Sequence, residues 1–383
     1  MWPNLRQWLR ERFIRPYASG VVLNTGADYS EHQFPSVEVT EDDPLLRYFR
    51  ERPEAVELNT LEIHSPAVEA FKNAGVKVLA PLVCRGEVVG LLQLGERMST
   101  QDYSPDDYVL LNNLVTQAAP AFRVAQLAEL QKVDALKTER INQELRVAGL
   151  IQQTLLPRET PHLPGWNIAA FYRPARAVGG DFYDFVTYPD GRIGLVIGDV
   201  TDKGMPAALL MATTRATLRT MAQRIDAPDA VLRETNNTIC PDVPPSMFVT
   251  CLYAILDPNT GRLVYSNAGH NLPYRQIGEQ VTELRATGMP LGLLPDMIYE
   301  SYETVIAPGE HLLLYSDGLV EAHNPEREMF GNPRLEALLA GCQDDAATMI
   351  QTLICELEEF AGPTWEQEDD ITLVILSRDN ERE

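Results

Sequence analysis

The sequence is short of positive charge. Its 383 residues carry 32 Lys and Arg against 55 Asp and Glu, a net charge of −23. A surface this acidic repels phosphate backbones, which argues against nucleic acid and anionic lipid as main partners. Cysteine is scarce: Cys84, Cys240, Cys251, Cys342 and Cys355 form no CxxC pair. An odd number without paired spacing predicts a reducing compartment, no disulfide framework and no zinc site. No apolar run approaches the roughly 20 residues a membrane helix needs. The opening MWPNLRQWLRERFIRPY lacks an apolar core and a small-residue cleavage site, so no signal peptide is expected. Together these absences predict a soluble, cytoplasmic chain with no membrane partner. What is present is ordinary for a globular protein: 45% hydrophobic and 23% charged residues, which excludes wholesale disorder. At roughly 150 residues per domain, the length predicts two domains or three.

The charge is uneven. Residues 1–126 are net −5, residues 127–156 neutral, and residues 157–383 net −18. The pattern changes at the same places, so the chain is read as domain, linker and domain with those boundaries. The linker region has no Pro and one Gly between Ala125 and Leu156, and is rich in Leu, Glu, Lys, Gln, Arg and Ala, all good helix formers. Leu127, Asp134, Ile141, Ala148 and Leu155 recur every seven residues. Gln131, Thr138, Leu145 and Gln152 occupy the other seam position. Polar residues interrupt the seam, so a coiled coil and a single amphipathic helix packed on its own chain stand as equal readings. A homodimer through this helix and the preceding domain is expected, with dimerisation tuning activity.

In the N-terminal part, two apolar runs within Val76–Gly95 flank Arg85-Gly86 and read as a β-hairpin. Cys84 is read in the middle of a strand, as a core residue rather than a ligand. Ser104-Pro105 then opens a helix, with Ser as N-cap and Pro in the first turn. The stretch PLVCRGEVVGLLQLGERMSTQDYSPDDYVLLNNLVTQAAPAF resembles the last hairpin and closing helix of a GAF domain. That resemblance covers about residues 20–126 and implies an α/β sensor domain. It brings no cyclic-nucleotide, haem or bilin signature.

The C-terminal part reads as strands at Ile193–Ile197, Phe248–Leu256, Leu263–Ser266, His311–Tyr315 and Ile371–Leu376, with helices at Met205–Arg224 and Ala346–Phe360. Four acidic motifs sit at strand ends: Gly179-Gly-Asp181-Phe-Tyr-Asp184, Gly198-Asp199-Val200, Ser316-Asp317-Gly and Asp369-Asp370-Ile-Thr. A carboxylate against a buried apolar strand is costly unless it is paired or binds a cation. Lys203 and Arg176 are the only basic residues within five positions of any of these Asp, so a cation is the natural partner. Oxygen-only ligands favour Mg²⁺ or Mn²⁺. Several convergent carboxylates suit two metal ions that activate a water for attack on phosphorus. A lone Asp-Gly is an ordinary turn; the signal is four such motifs, each tied to a strand.

Residues 150–377 resemble the PPM/PP2C-type serine/threonine phosphatases, in the bacterial sigma-factor-regulator (SpoIIE/RsbU-like) branch. The matching stretches are LIQQTLLP, ARAVGGDFYDF, IGDVTDKGMPAALLMA, MFVTCLYAILDPNTGRLVYSNAGHNLPY, GMPLGLL, PGEHLLLYSDGLVEAHN, MFG and QEDDITLVIL. The resemblance implies an α+β fold: a C-terminal PP2C-like β-sandwich flanked by helices, behind the GAF-like domain and the connecting helix. It implies two Mn²⁺ or Mg²⁺ ions and a phosphorylated protein substrate, a STAS-type anti-sigma-factor antagonist. By the same resemblance Asp199 bridges both metals beside the Val200 carbonyl. Asp317 and Asp369 are second-metal ligands, and Asp181 is a first-metal ligand. Asp370 is the less certain half of its pair, a ligand or a group that holds neighbours by hydrogen bonds. Asp184 is expected to cap a turn. Asp202 departs from the Gly of many relatives and adds a negative charge near the site. In Asn267-Ala-Gly-His270, His270 could be a general acid, but the tight-turn reading is preferred.

Three rival readings compete with this one. Gly179-Gly-Asp-Phe-Tyr superficially resembles the loop of diguanylate cyclases, but Phe182 stands where a second acid is needed. A sensor histidine kinase needs a phosphoacceptor His on the connecting helix, and no His occurs between His64 and His162. A pseudophosphatase that only docks partners predicts missing metal aspartates, and none is missing.

Overall fold

The computed structural model describes residues 21–23 (backbone only), 37, 39–97, 101–363 and 365–380. The signal-peptide expectation and the first part of the GAF-like segment lie outside the described residues. The chain divides into two compact units, Met1–Thr138 and Glu139–Glu383. Among the described residues no helix is long and apolar enough to cross a membrane, and the five cysteines are free.

In the first unit β1 (Val21–Leu23), β2 (Val56–Glu57), β3 (Val78–Cys84) and β4 (Glu87–Leu94) form a sheet in the order β1-β4-β3-β2. The hairpin expected at Arg85-Gly86 is present. Both turn residues have positive φ, 51° and 83°, the two-residue geometry whose twist matches antiparallel strands. α1 (Pro44–Glu51) and α2 (Pro66–Asn73) bury Leu45, Phe49, Val68 and Phe71 against Leu79 and Leu91. Asp43 caps α1, and Ser65 both caps α2 and donates to Asp43 at 2.6 Å. Cys84 is half-buried at the strand end, against the small core of Ala80, Leu82, Val89 and Leu92.

α3 runs without interruption from Pro105 to Leu155, 51 residues, with Pro120 inside it. The closing helix of the first segment and the linker are therefore one element. Residues 127–144 are exposed on every face, leaving Leu127, Leu130, Val133, Leu136 and Ile141 uncovered. Burial resumes at Gly149, Gln152 and Leu156, a spacing of three to four that puts one face of the last turns on the second unit's core. Gln152, read above as a polar break in a heptad seam, faces that core.

The second unit contains two five-stranded antiparallel sheets. One has the order β11-β10-β13-β14-β5, from β5 (Trp166–Arg173), β10 (Tyr274–Ile277), β11 (Gln280–Glu283), β13 (Glu310–Tyr315) and β14 (Ile371–Arg378). The other has the order β12-β9-β8-β7-β6, from β6 (Phe182–Thr187), β7 (Ile193–Val200), β8 (Val249–Leu256), β9 (Arg262–Ala268) and β12 (Tyr302–Val305). Period-2 alternation decides what faces what. Leu312, Leu314, Val374 and Leu376 enter one core with Leu195, Ile197 and Leu252. Their neighbours Leu313, Tyr315, Leu373 and Ile375 enter another, with Leu335 of α7 (Gly331–Gly341) and Met349, Leu353 and Leu357 of α8 (Ala346–Ala361). α4 (Met205–Ala222) and α5 (Pro228–Ile239) add Met211, Leu218, Val231 and Leu232 to the first core. β8, buried along almost its whole length, is covered on both faces. The expected α+β sandwich flanked by helices is present. Of its ten strands, β5, β6, β10, β11 and β12 had no counterpart among the strands expected from sequence.

Candidate active site

Antiparallel register places the acidic motifs. β6 pairs with β7 so that Phe182 faces Gly198; Asp181, just before β6, therefore stands by Asp199, near the end of β7. β13 pairs with β14 so that Tyr315 faces Leu373. Asp317, which opens the short helix α6 (Asp317–Val320), therefore stands by Asp369 and Asp370, just before β14. Contacts then join the two sheets. Thr372 on β14 donates to Asp181 Oδ2 at 2.5 Å, and Asp370 Oδ2 accepts from the Gly180 and Asp181 amides at 2.6 and 3.2 Å. Asp370 Oδ1 accepts from Ala175 N at 2.8 Å. One carboxylate thus pins both ends of the 175–181 segment.

Glycine is required at Gly179 and Gly180 by close approach. A Cβ on Gly179 would lie 2.3 Å from Asp370 Oδ2; one on Gly180 would lie 2.7 Å from the Val200 carbonyl oxygen and 3.4 Å from Asp199 Oδ1. The same contacts put Val200's carbonyl beside the Asp181 segment.

The electrostatics follow from convergence without enough cations. Asp181 is 1% exposed, and burial, then Asp199 and Asp370, push its carboxyl well above the usual range. The Asp181 and Asp199 carboxyls are close enough for each to alter the other's proton affinity. Burial, with Asp369 and Asp370 adding, raises Asp199 to about 6. Burial, then Asp199, Asp369 and Glu321, raises Asp317 to about 7. Asp370 is raised by burial against the opposing pull of its three amide donors. Among the described residues Lys203 is the cation that reaches the cluster: its Nζ lies 2.9 Å from Asp369 Oδ2 and donates to the Glu368 carbonyl. Its loop carries Asp202 at φ 69°, a left-handed conformation that suits Gly better.

The site residues expected from sequence, Asp181, Asp199, Val200, Asp317, Asp369 and Asp370, are thus brought to one place from four separate segments. Among the described residues, no three acidic, His or Cys side chains are arranged to hold an ion as placed; Asp369 is turned to Lys203, and Asp370 to main-chain amides. The donor chemistry still fits a hard divalent cation. It is all oxygen, and its carboxylates raise one another's proton affinity because too little positive charge balances them.

Two expectations need revision or completion. Asp184 caps no turn. It sits inside β6, 2% exposed, held by Arg219 at 2.8 Å and Arg215 at 3.1 Å, both from α4. His270 belongs to a tight turn: Asn267 accepts from its amide and donates to its carbonyl, both at 2.8 Å, around Gly269 at φ 74°. Burial lowers the imidazole to about 4, so it stays neutral near pH 7 and is not in the imidazolium form a general acid needs. Its Nδ1 lies 2.9 Å from Thr250 Oγ1, which reaches the Asp199 carbonyl at 3.4 Å. Missed from sequence were Thr372, Ser316 and Gln152. Ser316 and Thr372 stand inside the Asp317 and Asp370 motifs quoted above, where Ser316 Oγ accepts from Thr372 N at 3.0 Å; Gln152 offered no such signal.

The chain matches the family described as Stage II sporulation protein E (SpoIIE) over residues 189–379, a span that includes Asp199, Asp317, Asp369 and Asp370 and begins after Asp181. It is 31% identical over 263 residues to Protein IcfG of Synechocystis sp., covering 61% of this chain and 41% of that protein. It is 30% identical over 247 residues to the Phosphoserine phosphatase RsbU of Bacillus subtilis, covering 63% of this chain and 71% of that one. The chain thus spans about two fifths of the first relative's length and most of the second's. Among solved structures, the SiaA-PP2C domain of Pseudomonas aeruginosa superposes with a TM-score of 0.58 at 25% identity, over 64% of this chain and all of that one.

Proposed function

Since the chain belongs to the SpoIIE family of PP2C-type serine/threonine phosphatases, we propose that it hydrolyses phosphoserine or phosphothreonine on a regulatory protein, a STAS-type anti-sigma-factor antagonist. The observation that carries this reading is the convergence of Asp181, Asp199, Asp317, Asp369 and Asp370 at the joined ends of two sheets, with Lys203 the cation that reaches them. Water adds to phosphorus, the ester P–O bond breaks, and the serine or threonine oxygen leaves with a proton. Two Mn²⁺ or Mg²⁺ ions, held by Asp181, Asp199, the Val200 carbonyl, Asp317 and Asp369, would supply an acidified water and neutralise charge on the phosphate. Asp370 is the organiser of this set, since its oxygens are committed to the amides of Ala175, Gly180 and Asp181. Thr372 fixes the rotamer of Asp181, and Lys203 that of Asp369.

The N-terminal unit acts in this reading as a GAF-like sensor. Two chains associate through α3, whose apolar residues between 127 and 144 are uncovered, in the cytoplasm. The test is hydrolysis of p-nitrophenyl phosphate and of a phosphoserine peptide. Chelated protein should be inactive, and Mn²⁺ should restore turnover. Equal activity in excess chelator refutes the reading.

A further inference from the structure

Gln152 is the buried polar side chain on the last turns of α3, 6% exposed. Its amide takes both main-chain groups of a single residue: Oε1 accepts from Gly179 N at 3.0 Å, and Nε2 donates to Gly179 O at 2.6 Å. A neighbouring strand would pair with a backbone in this way; here a helix side chain does it. Three residues earlier, on the same face, a Cβ on Gly149 would lie 2.1 Å from the Ala177 carbonyl oxygen. The helix backbone therefore rests directly on segment 177–179. On its other side that segment is held by Asp370, through the amides of Gly180 and Asp181. A buried amide with both ends satisfied is a rigid coupling, because losing it strands a donor and an acceptor out of water.

We infer that Gln152 is a positioning residue that fixes the main chain of Gly179–Asp181, so that the seating of α3 sets how Asp181 is presented to the metal. The inference rests on the metal-dependent phosphatase reading and deepens it. It names the contact by which a displacement or rotation of α3 reaches the catalytic unit. Leu156 anchors the same helix end in the apolar core and touches none of these groups by hydrogen bond, so it separates loss of packing from loss of the coupling.

The test uses the full chain and Mn²⁺ itself, with free ion counted by electron paramagnetic resonance during titration. Gln152→Met keeps length and helix propensity and removes both hydrogen bonds. It should weaken Mn²⁺ binding about tenfold, the usual scale for losing an outer-shell partner. The KM for p-nitrophenyl phosphate at saturating Mn²⁺ should stay within about twofold of wild type. Gln152→Asn withdraws the amide by one methylene and should give an intermediate loss; it carries the test if Gln152→Met does not fold. Leu156→Val should lower the melting temperature while leaving Mn²⁺ affinity unchanged. Unchanged affinity in folded Gln152→Met or Gln152→Asn overturns the inference alone, and so does an equal loss in Leu156→Val. If the wild-type chain binds no Mn²⁺, the phosphatase reading fails and takes the inference with it.

Discussion

Asp181 and Asp184 stand three residues apart around the start of one strand, 1% and 2% exposed, yet their surroundings differ completely. Asp184 is met by two guanidinium groups from α4, and its oxygens are filled by Arg215, Arg219 and the Phe185 amide. Asp181 is met by other carboxylates and by the Thr372 hydroxyl. The first is a closed site whose charge the chain balances itself. The second lacks enough positive charge, and burial magnifies the imbalance. Burial of an aspartate is thus no sign of function; the missing counter-charge is.

The largest effect should come from removing charge on the unbalanced side. Asp199→Asn and Asp317→Asn should each lower the turnover of p-nitrophenyl phosphate by about 10³-fold or more, roughly 4 kcal/mol of barrier. In chelator their melting temperatures should equal or exceed wild type, since repulsion is relieved. A large loss of stability without metal would break the contrast.

On the balanced side the effects should reverse. Asp184→Asn leaves two arginines facing a neutral group and should cost about 3 kcal/mol of stability in chemical denaturation. The specific activity of the folded fraction should stay within a few-fold of wild type.

A smaller effect distinguishes the sites by pH. Folded-state values of about 6 for Asp199 and about 7 for Asp317 lie above the roughly 4 of an unfolded chain. The native state therefore holds more protons between about pH 4 and 7, and stability falls as pH rises through that window. In chelator the melting temperature should be roughly 5 °C higher at pH 5 than at pH 7.5. Asp199→Asn should flatten this slope, and a flat wild-type profile would remove the electrostatic argument.

The smallest effect concerns Asp202. Replacing it with Gly relieves the left-handed conformation but loosens the unfolded chain, so stability should shift by no more than about 0.5 kcal/mol. Mn²⁺ affinity should change less than about threefold. A larger change would bring its carboxylate into the unbalanced group.

Asp181, Asp199, Asp317 and Asp369 were legible in the sequence because each closes or opens an apolar run, and strand ends meet where antiparallel strands pair. The partners of Asp184 were not. Arg215 and Arg219 lie on a helix whose docking on β6 no local pattern specifies. Of the two readings of the α3 seam, packing on its own chain fits Gln152; its exact partner was not legible, because a heptad count asks only whether a residue is apolar, while its hydrogen bonds follow from the seat of the helix at Gly149. The strand Trp166–Arg173 escaped because its side chains are mostly half-buried, which blurs the period-2 pattern. The hairpin at Arg85-Gly86 was legible because its turn is local.

In this reading uncompensated carboxylates, and not burial, mark the metal site. Counting bound Mn²⁺ per chain in wild type, Asp184→Asn and Asp199→Asn under one set of conditions tests it most directly. Two ions in wild type and in Asp184→Asn, with fewer in Asp199→Asn, is the predicted result. Equal binding in wild type and Asp199→Asn, or none in wild type, would contradict it.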